Sequence, residues 1–187
     1  VFFLIHQDPD QASEALARFS GLLSYQLYEC EEPQIALEKE ITYLQHFVEL
    51  EKLRQKKLDV VWEVQFEQGL AIAPFILMTF VENAFKHVSK HSDGSNQIIV
   101  RLHTAGQQLD FYVGNTCAGK TDTPVIQYRG IGLKNVRRRL DLVYPDDHRL
   151  SISEKDNFFE IQLSLRLNEY SFKPPEKEHE VAVYDRG

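Results

Sequence analysis

Cysteine is scarce: Cys30 and Cys117 are the only two in 187 residues, too far apart and too few for a disulfide framework. Neither belongs to a CxxC pair, and neither has a histidine at zinc-ligand spacing, which excludes a structural zinc site. Free thiols in a reducing cytoplasm are expected. Long apolar runs are also missing; none reaches the ~18 residues needed to cross a bilayer, and no signal-peptide pattern opens the chain. Positive charge is in deficit, with 21 Lys and Arg against 28 Asp and Glu and a net charge of −7. That balance argues against a general nucleic-acid binder and against attraction to anionic lipid. Arg137, Arg138 and Arg139 do not alter this, because three adjacent helical residues point in three directions. What is abundant is core material: 43% apolar and 11% aromatic residues, ample for one domain plus an appendage. The chain opens on Val1 rather than Met, and we read it as a fragment that a membrane segment can precede.

The stretch Pro74 to His91, PFILMTFVENAFKHVSKH, carries most of the chemistry. At about 100° per residue, Leu77, Val81, Ala84 and Val88 fall on one stripe, while Thr79, Asn83, Lys86, His87 and Lys90 gather opposite. An amide beside a lysine and an imidazole offers an oxygen ligand for a hard cation next to donors for phosphate oxygens. A solvated helix face with an ordinary Glu82–Lys86 i,i+4 pair would show the same pattern. The helix alone leaves both readings open.

In chain order, Pro9 starts a helix on which Ala12, Leu16, Phe19, Leu23 and Leu27 recur at helical spacing, and Pro33 interrupts the pattern. A second helix, about Leu37 to Arg54, has Ile41, Leu44 and Val48 on one stripe and Tyr43, Phe47 and Leu50 beside it. The two make a helical hairpin in need of partners. LDVVWEVQFE (residues 58–67) reads as a strand, and residues 70–74 lead into the organising helix with Pro74 in its first turn. A hairpin spans about Gln97 to Gly114, turning at residues 105–107. Residues 115–129 lack a period and read as a functional or mobile loop. A helix with Leu133, Val136, Leu140 and Val143 on its buried stripe ends at Pro145. HRLSISEK and NFFEIQLSLRL form two strands joined near Asp156-Asn157, and the residues from 168 onward read as a charged tail.

Gly130-Ile131-Gly132 stands where the loop enters that last helix. Glycines there allow a ligand close to the backbone, and the helix dipole favours an anion. Tight turns use such glycines too; the segment is neither a Walker P-loop nor a Rossmann fingerprint. The order VENAFKH, VGNT after a strand, a loop, then GIGLKNVRRRL resembles the nucleotide-binding domain of the GHKL ATPase superfamily, and more closely the LytS/YehU-type sensor histidine kinases. DPDQASEALARFSGLLSYQLYE followed by ALEKEITYLQHFVELEKLR is similar to the helical segment that precedes the catalytic domain in that group, so the resemblance covers about residues 1–167.

The resemblance implies an α+β fold, a two-layer sandwich of the GHKL type with its helices on one face of a mixed sheet, preceded by a helical hairpin. Residues 1–56 would be a truncated dimerisation and phosphoacceptor region, 57–168 the ATP-binding domain and 169–187 the tail. Asn83 would bind Mg2+; Lys86 and His87 would contact the ATP phosphates and complete the catalytic set. Gly130, Gly132 and Leu133 would close on the phosphates with Asn135 beside them, and residues 116–129 would form the ATP lid. Asn115 stands where most relatives carry an aspartate for the adenine amino group; an amide oxygen can still accept that bond without the charge. NTCAG replaces the usual DNGxG. Thr79 occupies the place where ATP-hydrolysing relatives carry a water-activating glutamate, and a hydroxyl is no general base near neutral pH.

The implied activity is protein histidine kinase, a phosphotransferase in two-component signalling. The HFLFN-like acceptor motif is absent; its expected place is upstream of Val1, and His6 is read as an exposed helix residue rather than an acceptor. A response regulator, of LytTR type by family resemblance, is the implied partner, with homodimerisation in the intact protein and a cytoplasmic location below an inner-membrane anchor. The alternative is a degenerate nucleotide-binding or dimerisation scaffold without kinase activity, which the substitutions at Asn115 and the first glycine box favour.

Overall fold

The computed structural model describes residues 8–28, 32–55, 57–90, 95–117 and 131–170. Helix α1, Pro9–Tyr28, begins at its proline with Asp10 in the first turn, where a negative charge suits the dipole. Strand β1 (Ile35–Ala36) runs directly into α2 (Leu37–Arg54). Next come β2 (Leu58–Gln65), β3 (Leu70–Ile72) and α3 (Ile76–His87). β4 (Asn96–Ala105) and β5 (Gln108–Thr116) form the expected hairpin, turning at Gly106 with φ of 57°. After α4 (Ile131–Val143), β6 (His148–Lys155) and β7 (Phe158–Arg166) are joined through Asp156 and Asn157, whose φ values of 52° and 62° suit a two-residue hairpin turn. β8 (Asn168–Glu169) is the last element among the described residues.

Five strands make one mixed sheet in the order β2-β4-β5-β7-β6, with β2 and β4 parallel and every other neighbour antiparallel. A parallel pair needs a crossover, and β3 with α3 supplies it. Cross-strand register places Trp62, Val100, Val113, Ile161 and Ile152 in one row, with Val64, Leu102, Phe111, Leu163 and Leu150 in the next. These rows join Ile41, Leu44 and Val48 of α2, Ile76, Leu77, Phe80 and Val81 of α3, and Val136 and Leu140 of α4 in one core. The expected two-layer sandwich is therefore present, and α2 is packed into the same core as the sheet. The other face of the sheet is polar: Arg101 Nε pairs with Glu63 at 2.6 Å and its guanidinium lies over the Tyr112 ring.

Helix α1 packs on α2 through Ala12 and Ala15, both buried, and through an Arg18–Glu49 ion pair. Its Leu16, Phe19 and Leu23 remain 57%, 49% and 43% exposed.

Two expectations need correction. Residues 70–74 are more than a lead-in, because β3 is the centre of a second, three-stranded sheet, β1-β3-β8. Ile72 faces Ile35 on one side, and Leu70 faces Glu169 on the other, so residues 168 and 169 pair as a strand before the chain continues. Strands this short have no alternation to read. The organising helix is also shorter than 74–91. Pro74 precedes it, Phe75 forms its N-cap in left-handed conformation at φ 62°, and Val88 leaves it with ψ 140°. Lys90 lies beyond the helix, and His91 falls outside the described residues.

Candidate functional site

The first turn of α3 has no cap of its own, since the Phe75 side chain cannot accept a hydrogen bond. The acceptor comes from α2. The Phe75 N–H donates to Glu40 Oε2 at 3.1 Å, and the Met78 N–H donates to Glu40 Oε1 at 3.2 Å. Glu40 is 1% exposed. Just before the turn, the Ala73 N–H donates to the hydroxyl of Tyr144 at 2.9 Å. Burial above all holds the Tyr144 phenol above its ordinary 10.0, and the Glu40 charge acts in the same direction.

Thr79 begins the polar face. Its hydroxyl donates to the Phe75 carbonyl at 2.7 Å, and its Cγ2 stands 3.5 Å from where a β-carbon on Gly132 would lie. The start of α4 therefore meets α3 at Thr79. One turn further, Asn83 is half-buried, and its Nδ2 is buried without a hydrogen-bond partner among the described residues. A half-turn of that amide exchanges nitrogen for oxygen, so the site can present either end to a ligand.

Asn115 lies on the helix-facing side of β5, between Ile98 and Phe159 in register, and is fully buried. Its Nδ2 donates to the Thr116 carbonyl at 3.0 Å, but its Oδ1 is buried without a partner among the described residues. Two amide atoms, one on α3 and one on β5, thus lack the bonds that burial normally requires. A ligand entering between helix and sheet can supply them: a donor such as an exocyclic amine at the Asn115 oxygen, and at Asn83 an acceptor such as a phosphate or water oxygen or, with the amide turned, a cation at its oxygen. The residues fit a metal-bound adenine nucleotide in this respect.

The other residues expected at the site are placed as follows. Lys86 is exposed and His87 half-buried at the end of α3. Leu133 packs partly against the core, and Gly132 and Asn135 are exposed on the first turns of α4. Gly130 and residues 118–129 of the expected lid lie outside the described residues. A groove of about 960 Å3 opens between α2 and α3, lined in part by Phe47, Lys57, Glu82, Phe85 and Lys86 and without Asn83. Lys86 therefore sits at the margin between this groove and the Asn83 face. Burial raises the Glu82 carboxyl above its ordinary 4.5. Among the described residues no group of three or more His, Cys, Asp or Glu side chains is arranged to hold a metal ion.

Several contributors went unnoticed in the sequence. Glu40 had a readable signal: it falls on the stripe of Leu37, Leu44 and Val48, and a carboxylate on a core stripe must find a partner. Ser89, Asn96 and Thr116 had none. Ser89 Oγ lies 3.0 Å from Asn96 Oδ1 and 2.8 Å from Thr116 Oγ1, while the Ser89 N–H donates to the Thr116 carbonyl at 2.8 Å, tying the exit of α3 to the strand that carries Asn115.

The fold is that of histidine-kinase catalytic domains. The catalytic domain of histidine kinase ThkA superposes with a TM-score of 0.53 at 15% identity, covering 73% of this chain and 97% of that one. The histidine kinase domain of the blue-light activated kinase EL346 from Erythrobacter litoralis does so at 0.54 and 15%, covering 84% and 75%. These likenesses concern the fold. In sequence, residues 70–166 match the GHKL domain family and residues 2–58 the histidine kinase family. The chain belongs to the GHKL family. It is 28% identical over 165 residues to the sensor protein LytS of Streptococcus agalactiae, a match covering 82% of this chain and 28% of that protein. It is 26% identical to LytS of Staphylococcus saprophyticus, covering 94% and 32%, and 28% identical to the sensor histidine kinase BtsS of Escherichia coli, covering 87% and 29%. The chain thus spans under a third of the length of these relatives.

Proposed function

We propose that this chain is the ATP-binding catalytic portion of a sensor histidine kinase and that it donates the γ-phosphoryl group of ATP to a histidine upstream of Val1, not to His6. The observation that carries this reading is the pair of buried amide atoms on Asn83 and Asn115 that have no partner among the described residues. Asn115 accepts from the adenine amine; Asn83 is the protein's ligand to Mg2+, which would neutralise phosphate charge. Magnesium sites with phosphate ligands commonly take one or two protein oxygens and complete the shell with phosphate and water. Lys86 and His87 stand at the end of the same helix face to contact phosphate oxygens, and the start of α4 at Gly132 and Leu133 brings backbone N–H groups and a helix dipole to the same side, with Asn135 next along. Catalysis then rests on positioning and charge stabilisation, as phosphoryl transfer requires.

Thr79 supports transfer to a protein nucleophile over hydrolysis, because its proton is committed to the Phe75 carbonyl and no carboxylate stands at that place. The exposed Leu16, Phe19 and Leu23 stripe suits a second copy of α1, in keeping with a homodimeric kinase. A response regulator, of LytTR type, would take the phosphoryl group onward, and the intact protein would be held at the inner membrane by a segment beyond these residues. No described helix is long and apolar enough to cross a membrane.

Calorimetric titration with Mg-ATP tests the reading: wild type binds, and Asn83→Ala loses the magnesium-dependent part of the affinity. Absence of binding at millimolar nucleotide would sink it and leave the scaffold reading, which the uncharged Asn115 favours.

A further inference from the structure

The start of α3 is held by a group that is foreign to it. Its first N–H groups have no intrahelical acceptors, and its N-cap is a phenylalanine in left-handed conformation, which offers no acceptor and rarely adopts φ near 62° without restraint. Both carboxylate oxygens of Glu40 answer this, one to the N-cap N–H and one to the N–H three residues on. A carboxylate at 1% exposure is tolerated where such charge-assisted bonds and a helix dipole meet it. Glu40 belongs to α2, which β1 ties through β3 to the turn before α3 and which packs against α1. From the capped turn the helix runs straight to the site, with Thr79 one turn and Asn83 two turns along.

We propose that Glu40 is a positioning residue for the nucleotide helix: by clamping the N-cap of α3 from α2, it sets the placement of Asn83 and makes nucleotide affinity depend on the docking of α2. The inference rests on the reading of Asn83 as part of the nucleotide site. With Glu40 in place, Phe75 keeps its left-handed turn and Thr79 keeps its carbonyl partner. Without it, the turn unwinds and the Asn83 amide shifts against Asn115. By reciprocity, nucleotide at Asn83 strengthens the hold of α3 on α2, which gives movement of the helical segment a route to the site.

The test is calorimetric titration of Mg-ATP into the 187-residue chain as wild type, Glu40→Gln, Glu40→Ala and Asn83→Ala, each at a temperature where circular dichroism shows it folded. Val48→Ala, a buried truncation further along α2, serves as a comparator for simple loss of stability. Glu40→Ala is expected to weaken binding about tenfold. Glu40→Gln, which keeps one acceptor oxygen, should recover part of that loss, and Val48→Ala should stay within about twofold of wild type despite a lowered melting temperature. Wild-type affinity in both Glu40 variants, or an equal loss in Val48→Ala, overturns the positioning role while leaving the site intact. If wild type itself binds no nucleotide, the site reading fails and this inference with it. Should Glu40→Ala not fold, Glu40→Gln against Val48→Ala decides.

Discussion

The Cγ2 methyl of Thr79 stands 3.5 Å from the point where a β-carbon on Gly132 would lie, so α3 and α4 meet through the smallest residue available on one side. A single methyl fits that space at ordinary contact distance. Gly132→Ala is therefore expected to keep the fold and to raise stability by about 0.5–1 kcal/mol, because glycine costs more backbone entropy in a helix. Gly132→Val, whose branches reach past the contact, should lower stability by about 1–3 kcal/mol. Urea denaturation of the two variants checks the contrast; equal destabilisation by both would mean that the helices cannot accept even the methyl.

Thr79→Val keeps the methyl and removes the hydroxyl. The loss of its bond to the Phe75 carbonyl should cost about 0.5–1.5 kcal/mol. Phosphate release from Mg-ATP, followed by colorimetric assay, should not change, since that hydroxyl activates no water. A tenfold fall in release would show that it does.

Asn115→Leu removes the orphaned Oδ1 together with the Nδ2 bond to Thr116. Leucine of similar volume should leave the empty protein within about 1 kcal/mol of wild type, because loss of the Nδ2 bond is offset by removal of the unsatisfied Oδ1 and the Thr116 carbonyl keeps the Ser89 N–H. Affinity for ATP should fall about tenfold, or about 1.4 kcal/mol, and preference for ATP over GTP should vanish. Competition between the two nucleotides measures this; retained preference would place adenine elsewhere.

His46 sits between α1 and α2, with its Nδ1 buried, without a partner among the described residues, and lying 3.7 Å from where a β-carbon on Gly21 would be. Burial first, and then the charge of Arg18, hold its imidazole below the ordinary 6.5. The packed state thus prefers the neutral ring. Its contribution is complete above pH 6.5 and is lost as pH falls through the lowered value. Hydrogen exchange of α1 amides should accelerate, after correction for intrinsic rates, between pH 7.5 and 5.5, and His46→Asn should flatten that dependence. An unchanged pH profile in the variant would assign the effect to other groups.

Long periodic elements were legible in the sequence: the stripe Leu77, Val81, Ala84 and Val88 is buried throughout, and both long hairpins turn where Gly106 and Asp156-Asn157 are placed. These follow from local chemistry, a helical period or a glycine-like backbone demand. Resemblance singled out Asn83 and Asn115 as candidates, and the structure adds to each a buried atom that lacks a bond among the described residues. The pairing of β1, β3 and β8, and the reach of Glu40 to a turn 35 residues away, join parts of the chain with no common local pattern. Helix ends failed for a related reason: Phe75 resembles a helix residue by composition, and only a carboxylate from α2 lets it stop the helix where it does.

The small sheet has a mechanical consequence. β3 is gripped on one edge by the residues entering α2 and on the other by Asn168 and Glu169, each through two paired positions. Tension applied upstream through α1 or downstream through the residues after 170 therefore converges on the same three-residue strand, which runs straight into the turn that starts α3. Each edge is held by two paired positions, so a change at Asn168 or Glu169 reaches the anchor of α2 through the same strand as one at Ile35 or Ala36.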